Sequence, residues 1–338
     1  MGGQTRHLGA GCPLVSVILP VKDEADHLPA ALLALQRQTY PAAAIEMVVV
    51  DGGSRDGSCE IVRRSAETDP RIRLLGGPGV NCPAAMNLGI EASRGDLIAK
   101  IDGHGYVDPE FIGRAVHRLL GDPRLGCVGG LIQPIATGPV GRANSIARFS
   151  VLGVGRGPYT KARTVQEVDT VQCGVYRREA LEAAGGFDGD LQFGEDEELN
   201  YRVRGAGYTI LFDPDMRFSY QVRPTLASLW RQYRNYGRAR VKVVRKHPGF
   251  LRPKHAVPLA LVCGLGTAAA APLASPRLRP LSAVAAGGYA AVVLGGGMAL
   301  SAQERYPRPW LVSASLATLH LGYGLGSLQG IVDWLRRG

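Results

Sequence analysis

The sequence predicts an α/β domain built on an open sheet, followed by a hydrophobic helical region. Three observations predict it. Short apolar, β-branched runs alternate with segments of helical period through the N-terminal third. Polar residues with chemical potential stand directly after several of those runs. Three uncharged stretches, Ala256–Pro276, Pro280–Gln303 and Pro309–Val332, close the chain. Each matches the ~20 residues of a transmembrane helix.

Leu14–Pro20 reads as a strand closed by proline, and Ala25–Gln38 as a helix through Leu28, Leu32, Leu33 and Leu35. Ile45–Val50 is largely apolar, as expected of a strand buried on both faces of a parallel sheet. Asp56–Thr68 and Pro83–Ser93 read as helices, Ile72–Leu75 and Asp96–Ile101 as strands. Beyond residue 121 the alternation weakens. There a Gly-, Arg- and Lys-rich loop is expected over Ser150–Thr164, a strand over Glu167–Cys173 and a helix over Glu195–Arg204. Ser228–Arg245 carries Leu229, Tyr233, Tyr236, Val241 and Val244 among many arginines and reads as an amphipathic interfacial helix.

Composition narrows the class. The 338 residues are 46% hydrophobic and 20% charged, enough to bury a full core and unlike a disordered chain. No repeat of solenoid or propeller period is present. The net charge of +10 is concentrated between Arg231 and Lys254. Because an apolar run begins at Ala256, this basic stretch reads as a collar for anionic headgroups rather than a nucleic-acid groove. The same bias places the preceding domain in the cytoplasm. Three full spans would leave Arg336 and Arg337 on the far side, so one stretch is expected to be re-entrant or interfacial. The six cysteines form no C-x-x-C pair and read as core fillers in a reducing compartment, not as a zinc or redox site. Leu14–Leu19 is too short for a secretory leader.

In open α/β sheets ligands bind beyond the carboxyl ends of the strands, where the polar residues fall here. Asp51, before Gly52-Gly53-Ser54, can accept a hydrogen bond from a nucleobase; the bland alternative is an Asx-capped turn. Asp102 and His104 flank Gly103 and offer oxygen and nitrogen to one divalent ion beside a diphosphate; the alternative is a polar loop. Glu195-Asp196-Glu197-Glu198 opens a helix, where acidic residues favour the helix dipole. Four in succession exceed that need, and their mutual repulsion suggests that at least one is held for a job such as proton abstraction; a plain helix start is the alternative. Arg231, Arg234 and Arg238 share one helix side and can grip a diphosphate or face lipid phosphates.

In order and spacing, these pieces resemble glycosyltransferase family 2, and within it the succinoglycan-biosynthesis ExoA type. The matching segments, between Val15 and Arg245, are Ser16-Val-Ile-Leu-Pro-Val-Lys-Asp-Glu24, Val49-Val-Asp-Gly-Gly-Ser54 with Asp56-Gly57, Ala85-Met-Asn-Leu-Gly89, Gly95-Asp96 and Ile101-Asp-Gly-His104. Val168-Asp-Thr-Val171, Gly174-Val-Tyr-Arg-Arg178, Gly185-Gly-Phe-Asp188 and Glu195-Asp-Glu-Glu-Leu-Asn-Tyr-Arg202 continue the set. The resemblance implies a GT-A nucleotide-diphospho-sugar transferase fold, a Rossmann-like mixed sheet flanked by helices, with transmembrane helices at the C-terminal end. It implies donor contacts from Pro20, Lys22, Glu24, Asp51, Gly53, Asn87, Asp102, Arg234 and Arg238. It makes Asp102 and His104 the counterpart of a metal-binding Asp-x-Asp, for Mn2+ or Mg2+, with His104 departing from the commoner carboxylate. Asp196 matches the catalytic base, and Glu195, Gly185 and Gly186 lie on the acceptor side. Gln232 is followed by Tyr-Arg-Asn-Tyr236, not by the Gln-x-x-Arg-Trp of processive synthases, so addition of one sugar is expected.

The resulting expectation is a cytoplasmic catalytic domain over 1–224, a basic interfacial region over 225–254 and a membrane domain over 255–338. The domain would transfer a sugar, with inversion, from a UDP-sugar to a lipid-linked saccharide on an inner or plasma membrane, without a nucleic-acid partner. A polyprenyl-phosphate sugar synthase, with phosphate as nucleophile, is the alternative enzyme. A non-catalytic membrane scaffold is more remote, given the intact acidic cluster. An oxidoreductase is disfavoured because no G-x-G-x-x-G follows the first strand.

Overall fold

The computed structural model describes residues 12–153 and 162–337, which divide into two compact units. Among the described residues, the first comprises 12–133 and 162–220, the second 134–153 and 221–337. Most of the loop expected over Ser150–Thr164 lies outside the described residues.

The first unit holds a mixed sheet. Strands β1 (Val15–Val21), β2 (Ile45–Asp51), β3 (Ile72–Gly76) and β4 (Leu97–Lys100) run parallel in the order β3-β2-β1-β4. Register aligns Val21 with Asp51 and Ile18 with Lys100, bringing the carboxyl ends of β1, β2 and β4 to one edge. Helices α1 (Leu28–Gln36), α2 (Ser58–Thr68) and α3 (Cys82–Ala92) make the crossovers. All seven residues of β2 are buried, which explains its unbroken apolar run. The polar exceptions answer one another. Ser16 Oγ donates to Glu46 Oε1 at 2.6 Å, and the amide of Gly95 donates to Ser16 Oγ at 2.7 Å. A Cβ on Gly95 would fall 2.6 Å from the Ser16 nitrogen, so only glycine fits.

The sheet continues with short β5 (Tyr106–Val107), helix α4 (Phe111–Gly121), β6 (Leu125–Ile135), β7 (Gln166–Glu167), β8 (Val175–Arg177) and β9 (Thr209–Gln221). Strand β8 is antiparallel to both β4 and β6, while β5 and β7 are antiparallel to β9. The strand expected over Glu167–Cys173 is confined to β7. Cys173 adopts a positive φ of 49°, and extended pairing resumes only at Val175. Strand β6 escaped the sequence reading because Gly129 and Gly130 look like breakers. Both are demanded by close packing: a Cβ on Gly129 would lie 2.6 Å from Val171 Cβ, and one on Gly130 would strike the Met216 carbonyl. Helices α6 (Arg178–Ala183) and α7 (Glu195–Gly205) complete the unit.

In the second unit, α5 (Gly138–Arg148) and α8 (Leu226–Lys246) precede three long helices. These are α9 (Pro253–Ala274), α10 (Arg279–Gln303) and α11 (Pro309–Arg337). Each contains a segment long and apolar enough to cross a membrane, with mean hydropathy of 1.8, 1.6 and 1.2 in chain order. Helix α8 starts with a reciprocal Thr225–Ser228 capping box and packs along α11. Glycines set the approach. A Cβ on Gly326 would strike the Arg234 carbonyl, one on Gly237 the Tyr323 carbonyl, and one on Gly330 would sit 3.0 Å from Val241 Cβ. Buried Asn144 donates to the carbonyls of Arg223 and Thr225 and accepts from Ser315 Oγ at 2.7 Å, joining α5 to α8 and α11.

Candidate active site

The loops after β1 and β2 are laced together. The amide of Asp23 donates to Ser54 Oγ, that of Glu24 to Ser58 Oγ, and that of Ala25 to Asp56 Oδ2, at 2.8–3.0 Å. The return bond runs from the Arg55 amide to Asp23 Oδ1 at 2.8 Å. Asp23 holds a positive φ of 55°, a conformation that Asp tolerates better than most residues. Pro20 is half-buried at the end of β1 and Lys22 is exposed beyond it. Asp51 is 8% exposed, and its carboxylate accepts from the amides of Gly53 (φ 94°) and Ser54 at 3.0–3.2 Å. Burial raises its pKa, but these bonds, with those from the Ser54 and Cys59 side chains, outweigh burial and hold it below the usual range. Asp51 therefore builds the Asx-capped turn of its own loop, and a nucleobase would share an already engaged carboxylate.

The chain after β4 presents Asp102 and His104. Gly103 between them is confined: a Cβ there would lie 3.2 Å from Val21 Cγ2 and 3.3 Å from Glu24 Cγ. Glu24 Oε1 lies 2.9 Å from His104 Nδ1. A carboxylate only accepts there, so Nδ1 carries a proton, and in the neutral ring the lone pair then falls on Nε2, the arrangement of a metal-ligating imidazole steered by a carboxylate. The Asp102 side chain is 33% exposed. The His104 ring also stands 6.5 Å, centroid to centroid, from His27 and from Tyr220. Among the described residues no three His, Cys, Asp or Glu side chains form a metal cage. The pair suits an ion whose remaining positions are filled by water and substrate oxygens, the usual preference of Mg2+ and related hard ions beside phosphates.

Helix α7 begins after Gly194, at a φ of 75°. Its first turn brings Glu195 and Asp196 to a residue the sequence reading missed. Lys100, the last residue of β4, is 2% exposed. Its ammonium donates to Asp196 Oδ1 at 2.7 Å and Glu195 Oε1 at 3.0 Å, and lies 3.8 Å from Asp102 Oδ1. Burial opposes the ammonium, but the carboxylates dominate and hold its pKa well above the ordinary value. Asp196 goes the other way. Burial pushes it up to about 7, with Glu195 and Asp102 adding to burial and Lys100 opposing it. The signal for Lys100 was present: a charged residue closing the apolar strand Leu97-Ile-Ala-Lys100 requires buried carboxylates, and the run at 195–198 is where a carboxylate excess stands.

Glu198 differs from its neighbours. It is 1% exposed and forms a two-pronged pair with Arg202, at 2.6 and 2.7 Å, so it anchors α7 rather than merely favouring its start. Asn200, fully buried, accepts from the Tyr176 hydroxyl and donates to Thr170 and Val171, tying α7 to β8.

The Asn87 side chain clamps the Phe187 backbone, accepting from its amide at 2.9 Å and donating to its carbonyl at 2.8 Å. It thereby fixes the turn at Gly185 and Gly186, whose φ values are 79° and 73°. In the second unit, Arg234 Nε donates to Gln329 Oε1 at 2.9 Å and Arg238 Nε to Asp333 Oδ2 at 2.6 Å. A diphosphate contact from either arginine would compete with these bonds.

The family model described as Glycosyl transferase family 2 matches residues 16–185. The chain is 30% identical over 327 residues to succinoglycan biosynthesis protein ExoA of Rhizobium meliloti (strain 1021), covering 95% of this chain and 96% of that protein. It is 23% identical over 239 residues to dolichyl N-acetyl-alpha-D-glucosaminyl phosphate 3-beta-D-2,3-diacetamido-2,3-dideoxy-beta-D-glucuronosyltransferase of Methanococcus voltae, covering 69% of this chain and 74% of that protein. Its fold is similar to that of mannosyltransferase PcManGT from Pyrobaculum calidifontis, solved with GDP-Man and Mn2+. The TM-score is 0.58 at 23% identity, over 96% of this chain and 88% of that one. The mixed sheet with flanking helices is the GT-A fold.

Proposed function

The chain belongs to glycosyl transferase family 2 and is a glycosyltransferase, and we propose that it moves one sugar, with inversion, from a nucleoside diphosphate sugar to a lipid-linked saccharide at a membrane. The observation that carries the reading is the meeting of Asp102 and of Glu195 with Asp196 around one buried ammonium at the carboxyl edge of the parallel strands. On this reading, Asp102 serves the donor and Asp196 the acceptor within one cluster.

Asp196 accepts the proton of the acceptor hydroxyl. That oxygen forms a bond to C1 of the sugar as the bond from C1 to the diphosphate oxygen breaks, and one displacement inverts C1. Asp102 and His104 would hold a divalent ion, Mn2+ or Mg2+, and such an ion offsets the charge of the leaving diphosphate. Glu24 orients His104, and Asn87 keeps the Gly185–Gly186 turn in place. Three apolar helices support work at a membrane surface, and the basic stretch ahead of Ala256 supports a cytoplasmic catalytic unit. A UDP-hexose is the first donor to assay; the GDP-Man bound by the structural neighbour makes GDP-mannose the second. The deciding experiment incubates the full chain with UDP- and GDP-sugars and membrane lipid extract, then reads glycosylated lipid by mass spectrometry. No turnover with any donor, under conditions where the chain is folded, counts against the reading.

A further inference from the structure

Lys100 occupies a position that chemistry disfavours. A buried ammonium is costly to desolvate, and a methionine would fill similar space without that cost. The ammonium is held at 2.7 Å to Asp196 and 3.0 Å to Glu195, with Asp102 at ion-pair range only. Among the described residues no other ion pair reaches Glu195 or Asp196. The short bond falls on Oδ1 of Asp196.

Resting on the reading of Asp102 and Asp196 above, we propose that Lys100 is a positioning residue, which pins one oxygen of Asp196 so that the other is presented to the acceptor, and which competes mildly with a metal ion for Asp102. The two halves have opposite signs. Losing the ammonium loosens the base, which lowers turnover. It also removes a positive charge 3.8 Å from Asp102, which tightens cation binding. A purely structural lysine would give a different pattern, because its loss would weaken turnover and metal binding together.

The test uses the full chain in detergent, with Lys100→Met, Lys100→Arg and Asp196→Asn beside the parent. Steady-state rates give kcat and donor KM. Electron paramagnetic resonance of free Mn2+, with UDP and in a parallel series GDP, gives metal affinity without turnover. For Lys100→Met the expected result is a kcat about 100-fold lower with donor KM within about threefold. Its Mn2+ binding should tighten by about fivefold. Weaker Mn2+ binding alongside the lower kcat, or a kcat within about threefold of the parent, overturns the inference. Should Lys100→Met fail to fold, Lys100→Arg decides. It keeps the charge but moves the donors, so Mn2+ binding should hold while kcat falls about tenfold; parental kcat overturns the inference. Asp196→Asn separates the two levels: near-normal kcat there refutes the base itself, whereas a large loss there with intact Lys100 variants refutes only the role of Lys100.

Discussion

Glu24 Oε1 sits 2.9 Å from Nδ1 of His104, across the gap between the loop after β1 and the chain after β4. That bond orients the imidazole. Because Glu24 is itself held by the Ser58 hydroxyl through its backbone amide, the loop after β2 indirectly supports the His104 imidazole.

Metal removal is the first prediction. EDTA should abolish transfer, and Mn2+ or Mg2+ should restore it. Glu24→Ala should weaken Mn2+ affinity by about 10- to 100-fold, the usual cost of removing a carboxylate behind a ligating histidine. Asp102→Ala should weaken nucleoside diphosphate binding only when metal is present. Full activity in chelator would sink the metal assignment.

The pH profile follows from Asp196, whose pKa burial pushes up to about 7. A base works deprotonated, so kcat/KM should fall with unit slope as pH drops below about 7. Stability has the opposite sense. The unfolded carboxyl releases its proton near pH ~4, the folded one near 7, so between them the native state binds more protons and this group's contribution falls as pH rises. Asp196→Asn should therefore gain in melting temperature over the parent from pH 4 to pH 7 and hold that gain above. Groups with lowered pKa, such as Asp51 and Asp69, are common to both proteins and cancel. A pH-independent difference would contradict the raised value.

Helix α7 yields a third prediction. Glu198→Gln leaves Arg202, whose side chain is only 20% exposed, without its two-pronged partner. Breaking such a buried pair costs about 3–5 kcal/mol. The melting temperature should fall steeply, and the double variant Glu198→Gln/Arg202→Met should recover much of it. A single variant as stable as the parent would show the pair to be dispensable.

Membrane attachment is the fourth. The full chain should stay with membranes through carbonate at high pH, since three of its helices are long and apolar enough to cross one; quantitative release would contradict insertion. A chain ending near His255 should aggregate, because removal of α11 bares Leu229, Tyr233 and Gly237 of α8. Recovery of that fragment as a soluble monomer would argue against the α8–α11 packing.

The parallel half of the sheet was legible because strands buried on both faces are written as apolar runs, and β1, β2 and β4 obey that rule. The antiparallel half was not. Gly129 and Gly130 in β6 and Pro214 in β9 look like turns, yet the glycines admit the Val171 side chain and the Met216 carbonyl. Asp51, Asp102 and His104 were candidates from the sequence because each follows an apolar run that folds as a strand. Lys100 was missed because its partners lie almost a hundred positions away, a separation that periodicity does not report. The arginines of α8 show the reverse difficulty. Their spacing fits phosphates or a helix partner equally, and the structure gives Arg234 and Arg238 Gln329 and Asp333.

The last prediction concerns the base and separates two acceptor chemistries. If a sugar hydroxyl is the nucleophile, its proton must leave near the transition state, and Asp196, held at 2.7 Å by Lys100, is the group proposed to take it. Asp196→Asn keeps size and hydrogen bonding but loses basicity. Removal of a positioned base costs about 10²- to 10⁴-fold in rate, so kcat should fall by that order. Donor affinity should stay close to the parent if the residue serves the acceptor as proposed. A phosphate acceptor arrives already ionised and needs no such base. Near-normal kcat in Asp196→Asn, with donor binding intact, would therefore reject hydroxyl activation and move a polyprenyl-phosphate acceptor ahead. The two outcomes differ by at least about 100-fold, well beyond the change expected from packing an amide in place of a carboxylate.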